Sequence, residues 1–201
     1  MKSTYRCIAL SAVIAVTLLT SPASPRADLP DDVLRSKPGV APAGAAPDGA
    51  TAPQERHLRL YHTHTGERID VVYRRGDAYV ADGLRELESY LRDFRTGDAR
   101  SFDPRLFDVL TDLAVAAGKP DGEFHVISAY RSPKTNEMLR GRTTGVAKKS
   151  LHMEALALDV RLPGVKTSKL RDAALELGRG GVGYYGDSDF IHVDVGRVRR
   201  W

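Results

Sequence analysis

Residues 28–55 run through alanine, proline, glycine and aspartate, with PGVAPAGAAPDGATAP at the centre and no apolar periodicity. Such a stretch has too few large side chains to offset the entropy of ordering its backbone. It reads as a flexible tether, and it confines any packed core to residues 56–201. That remainder is enough for one domain with a hydrophobic core that needs no staples. Cys7 is the single cysteine, so no disulfide can stabilise the fold.

Ahead of the tether, Lys2 and Arg6 precede an apolar run from Cys7 to Leu19, followed by Ser21, Ala23 and Ala27 among prolines. A basic start, a short apolar run and small residues read as a secretory signal peptide over residues 1–27. The run is shorter than the roughly 20 apolar residues of a membrane span. Export to the periplasm or beyond is therefore expected, with no stable span after cleavage; an uncleaved anchor is the alternative. The formal charge of +4 is spread among interspersed acids and bases, with no nucleic-acid-binding module. A mildly basic surface suits an anionic polymer.

Within 56–201, HLRLYHTHTGERIDVVYR alternates on both sides of Thr65-Gly66 and predicts a β-hairpin. Asp82 is placed to cap a helix carrying Leu84, Leu87, Leu91 and Phe94. Asp103-Pro104 opens a second helix that Gly118 ends, and Ser132-Pro133 opens a third through about Arg140. FHVISAY, LALDVRL and FIHVDV read as strands, the last two separated by a helix from about Ser168 to Leu177. Strands and helices mix without regular βαβ alternation, so the predicted class is α+β, a small single domain with a central sheet flanked by helices.

Two histidines stand out from the six because each has a carboxylate in a patterned position. His152 precedes Asp159 in His-x6-Asp, a spacing that would span roughly 20 Å if extended. Sharing a metal therefore requires the chain to turn between them. Along the following strand, Ala155, Ala157 and Asp159 share one face, small residues that leave space above a cleft floor. In FIHVDV, Phe190, His192 and Asp194 lie opposite Ile191, Val193 and Val195. Two imidazoles and one carboxylate, from His152, Asp159 and His192, would hold one zinc ion per chain with an open position for water. Asp194 is a candidate general base, or it orients His192 through its second ring nitrogen. A His-Glu-x-x-His helix motif is absent from the sequence.

SAYRSPKTNEMLR, SLHMEALALDVRLPGV and GGVGYYGDSDFIHVDVGRVRRW, with HTGE nearer the start, follow in order. With these blocks the chain resembles the YcbK/MepK-like murein endopeptidases, among the D-Ala-D-Ala metallopeptidases that share a fold with the hedgehog signalling domain. The resemblance implies a mainly antiparallel sheet and zinc-dependent cleavage of peptide bonds in peptidoglycan. It maps the zinc pattern Ser-x-His-x6-Asp and a later strand histidine onto Ser150, His152, Asp159 and His192. An arginine for the oxyanion or the substrate maps onto Arg131. A base three residues before the last zinc histidine, as in related carboxypeptidases, maps onto Asp189, although strict alternation points that side chain away from His192. Ala155 stands where relatives commonly have glycine. Two rival expectations are a peptidoglycan-binding module of the same fold without turnover and a D-Ala-D-Ala-type carboxypeptidase.

Overall fold

The two runs flanking Thr65-Gly66 pair as expected in the computed structural model, which describes residues 54–142 and 145–201. They form β1 (Glu55–His62) and β2 (Arg68–Arg75), antiparallel with Leu60 opposite Ile69. The expected signal peptide and nearly all of the expected tether lie outside the described residues; Glu55, placed at the tether's end, already belongs to β1. Six further strands complete one sheet: β3 (Ala78–Tyr79), β4 (Phe124–Ser128), β5 (Ala157–Arg161), β6 (Gly181–Tyr185), β7 (Phe190–Asp194) and β8 (Arg199–Arg200). Their order is β3-β2-β1-β4-β5-β7-β6-β8, and only the β1/β4 and β6/β8 pairs are parallel. The fold is α+β with a mainly antiparallel sheet, in line with the sequence.

Among the described residues four helices flank this sheet: α1 (Ala81–Tyr90), α2 (Arg105–Ala116), α3 (Pro133–Arg140) and α4 (Thr167–Leu177). α3 begins as its sequence predicts, with Ser132 Oγ accepting from the Thr135 N–H at 3.2 Å and Pro133 in the first turn. α1 differs at both ends. Asp82 lies inside the first turn and pairs with Arg85 instead of capping. The helix stops at Tyr90, and the apolar spacing continues in the following turn, with Leu91 in the core and Phe94 against the His62 and His64 rings.

Leu58, Leu60, Val126, Leu158, Val160, Ile191 and Val193 are almost wholly buried in one cluster with Leu106, Leu110 and Leu170 from the helices. Each such burial contributes roughly 1.5–3 kcal/mol before the cost of ordering. Because side chains alternate along a strand, fixing Leu158, Val160, Ile191 and Val193 in this core sends Asp159 and His192 to the opposite face. Packing on one side of the sheet thus determines what the other side displays. Among the described residues no helix is long and apolar enough to cross a membrane.

Candidate metal centre

Asp159 on β5 and His192 on β7 are direct cross-strand partners. His192 Nδ1 lies 2.9 Å from Asp159 Oδ1. His152 arrives from a 3-10 turn, Leu151–Glu154, which Ser150 opens by accepting the His152 N–H. The chain then reverses at Ala155, whose φ of 54° is left-handed, and enters β5. This is the turn that His-x6-Asp requires, and it brings His152 Nε2 to 3.2 Å from both Asp159 Oδ1 and His192 Nδ1. A left-handed backbone at Ala155 gives a physical reason for glycine there in relatives. The Ala155 methyl is fully buried in the hydrophobic core and does not line the cleft, so it does not crowd the cluster.

The outer ring nitrogens fix the tautomers. His152 Nδ1 is 2.8 Å from the Ala129 carbonyl, which can only accept, so Nδ1 carries the proton and Nε2 presents a lone pair. His192 Nε2 is 3.0 Å from Asp194 Oδ2 and donates to it, leaving the Nδ1 lone pair free. Two imidazole lone pairs and a carboxylate oxygen therefore converge. A triangle with edges of 2.9–3.2 Å has its corners within about 2 Å of a common point, the metal–N and metal–O distance of a zinc-type site. Among the described residues, His152, Asp159 and His192 form the one such cluster. Donor type, spacing and orientation all fit a divalent cation.

Electrostatics favour the ligating states. Burial lowers the pKa of His152, an effect that Asp159 only partly offsets, so that imidazole stays neutral. Burial raises the Asp159 carboxyl, but the two imidazoles beside it hold it below the usual carboxylate range. For His192, burial is outweighed by hydrogen bonds to Asp159 and Asp194, and its affinity for a proton rises. A cation entering the triangle competes with that proton.

Asp194 is almost wholly buried. Besides His192 it accepts from the Gly181 and Gly196 amides and from both terminal nitrogens of Arg199. With its oxygens so engaged, Asp194 holds the outer nitrogen of His192 in the geometry that the second of its two possible roles needs. Arg131 enters from the loop between β4 and α3. Its Nη2 donates to Ser150 Oγ at 3.0 Å, and its Nε is buried without a partner. No carboxylate of the described residues lies within ion-pair distance of it, and burial lowers its pKa. It faces a cleft of about 790 Å³ that the metal triad and Ser150 also line. Tyr185, Phe190 and Trp201 form an aromatic wall, with Tyr185 stacked on Phe190 and Trp201 Nε1 donating to the Tyr185 hydroxyl. Trp201 also packs beside His192, and Gly183 permits this because a Cβ there would meet the indole at 2.7 Å.

Asp189 stands elsewhere. Its backbone is left-handed, with φ 53°, and its carboxylate accepts from Thr167 Oγ1 and faces Arg161 at 3.5 Å. It is absent from the cleft lining, so the structure does not bring this candidate base to the triangle. The pattern three residues before His192 is met in sequence, but strand alternation and the preceding turn aim the side chain at α4. A general base contributes about 10²–10⁴-fold, whereas Asp189→Asn is expected to keep hydrolysis within about threefold of wild type. A hundredfold loss with the fold intact would return the base to Asp189. His62 is buried between the Tyr90 and Phe94 rings, and His64 stacks on Phe94; neither joins the triad.

Sequence patterns did not single out Ala129, Arg199 or Trp201. The first acts through a backbone carbonyl, which has no residue signature. The other two fall in GRVRRW, an arginine-rich stretch too short to carry a periodicity.

The family model for peptidase M15_2, described as peptidoglycan L,D-endopeptidase MepK, matches residues 50–201. The chain is 42% identical over 153 residues to the peptidoglycan L,D-endopeptidase MepK of Escherichia coli strain K12, covering 75% of this chain and 82% of that protein. It is 38% identical over 151 residues to the probable peptidoglycan L,D-endopeptidase MepK of Haemophilus influenzae, covering 75% of this chain and 81% of that protein.

Proposed function

Because the chain belongs to the peptidase M15_2 family of MepK-type peptidoglycan L,D-endopeptidases, we propose that it cuts peptide cross-links of peptidoglycan with one zinc ion held by His152, Asp159 and His192. The observation that carries this reading is the triangle of three lone pairs whose outer nitrogens are pinned by Ala129 and Asp194. When bound, the metal supplies a Lewis acid for the scissile carbonyl and brings water towards nucleophilic strength near neutral pH.

The chain's own groups do the rest. Asp194 and the Ala129 carbonyl hold the two imidazoles in the ligating tautomer and orientation. Tyr185, Phe190 and Trp201 give one side of the cleft an apolar wall beside His192 against which a substrate can pack. Arg131 is a half-buried cation whose Nε is buried without a partner and which has no carboxylate within ion-pair distance among the described residues, an arrangement that an anion would complete. We assign it to the negative oxygen that develops on the attacked carbonyl. Arg131→Ala is expected to lower kcat by about 10²–10³-fold while metal content stays at wild-type level. Equal kcat in the variant would end that assignment.

The substrate lies outside the cytoplasmic membrane. Lys2, Arg6 and the apolar run from Cys7 to Leu19 support export to the periplasm through a signal peptide. The direct test is incubation of purified protein with murein sacculi, with and without a chelator. Conversion of cross-linked to monomeric muropeptides, abolished by chelation, is expected. Release of free D-Ala without loss of dimers would point to a carboxypeptidase, and identical profiles in both arms would refute metal-dependent hydrolysis.

A further inference from the structure

Asp93 follows α1, and its side chain is 1% exposed. No cation of the described residues pairs with this carboxylate. Neutral donors satisfy it instead: the Ser132 N–H at 2.9 Å, the Ser132 Oγ–H at 2.7 Å and the Arg95 N–H at 3.0 Å. A buried carboxylate is costly to keep unless its hydrogen bonds are complete. Those donors include the capping residue of α3, where the helix's free N–H groups favour negative charge. Burial raises the Asp93 carboxyl, but hydrogen bonds from Thr135, Ser132 and Arg95 bring it below its ordinary value.

The segment Ala129–Ser132 that carries Arg131 is tied at every residue. The Ala129 carbonyl accepts from His152 Nδ1. The Tyr130 N–H donates to the Leu91 carbonyl, and the Arg131 N–H to the His152 carbonyl, both at 3.2 Å. Ser132 is held twice by Asp93. One side of this bracket is therefore the metal-binding turn, and the other is the Leu91–Asp93 turn after α1. Asp93 and the Leu91 carbonyl thus supply the side of the bracket that lies away from His152.

We propose that Asp93 is a positioning residue that holds Ser132, and through it Arg131, so that the guanidinium is fixed over the cleft before substrate arrives. The inference rests on the assignment of Arg131 to the developing oxyanion and extends it to a residue outside the cleft. A displacement of about 1 Å in such a group can cost of order a hundredfold in rate. Asp93→Asn keeps the shape but turns one accepting oxygen into a donor facing either the Ser132 or the Arg95 N–H, so the clamp is broken on one side.

The test is a double-mutant cycle on a purified cross-linked muropeptide, with kcat, KM, zinc content and thermal midpoint measured for each protein. Asp93→Asn is expected to lower kcat by about 10–100-fold, with KM within about twofold and zinc at one equivalent. In an Arg131→Ala background the same change is expected to lower kcat by less than about twofold, because the group it positions is gone. Ser132→Ala keeps the backbone bond to Asp93 and loses the hydroxyl bond. It is expected to show a smaller loss with the same dependence on Arg131, and it decides the matter if Asp93→Asn does not fold. Losses that multiply with that of Arg131→Ala, or wild-type kcat in Asp93→Asn or in Ser132→Ala, would overturn the inference and leave Arg131's role standing. Wild-type kcat in Arg131→Ala alone would remove that role and this inference with it.

Discussion

Asp159→Ala protein is expected to purify without metal and to lose at least about a thousandfold in peptidoglycan hydrolysis. Asp159 supplies the one negative charge in the triangle, and Oδ1 is the corner shared by both imidazole contacts. With it gone, two neutral imidazoles remain beside the half-buried Arg131 cation, whose field opposes a divalent ion. The fold should survive, because the neighbours Leu158 and Val160 that anchor β5 in the core are untouched. Far-ultraviolet circular dichroism and metal analysis on the same sample check both halves. One equivalent of retained zinc with activity within tenfold of wild type would rule out Asp159 as a ligand.

Asp194→Ala should do more damage to the folded state than any ligand substitution. It leaves the Gly181 and Gly196 amides, an imidazole N–H and the Arg199 guanidinium without their shared acceptor. Breaking such a cluster from one side costs about 3–5 kcal/mol, a large part of the 5–15 kcal/mol that a domain has. The thermal midpoint should fall by roughly 10 °C, and zinc affinity by about 10–100-fold as His192 loses its orientation. The pH dependence has a definite sign. Burial raises the Asp194 carboxyl, but His192, Arg199 and the two amides hold it far below its ordinary value in the folded protein. Its contribution is therefore complete above the unfolded value of about 4 and is lost as pH falls below that. Wild-type stability should decline steeply through that range, and the Asp194→Ala protein less so. Unchanged melting and zinc affinity in the variant would contradict this role.

Much of the site was legible because it sits on regular strands. Alternation in LALDVRL and FIHVDV separates Leu158, Val160, Ile191 and Val193 from Asp159 and His192, and the packed face then determines the displayed one. His-x6-Asp demanded a turn, and Ser150 with Ala155 builds it. What stayed hidden depends on irregular backbone. Asp189 precedes its strand in a left-handed conformation, so spacing from His192 does not report where its carboxylate goes. α1 ends at Tyr90 while the apolar spacing runs on to Phe94, because a turn can carry Leu91 into the core as well as a helix can, and Phe94 packs on His62 and His64 instead. The strands β6 and β8 are glycine-rich or two residues long and carry too little alternation to be read. Asp93 and Arg199 act through other residues, and only tertiary pairing reveals them.

Zinc titration into chelator-stripped protein, with muropeptide cross-link cleavage followed at each addition, tests the metal assignment most directly. Cleavage should be absent at the start, rise in proportion to the first equivalent bound per chain, and stop rising there. Full cleavage by the stripped protein, or none at any zinc concentration, would contradict a zinc hydrolase built on His152, Asp159 and His192.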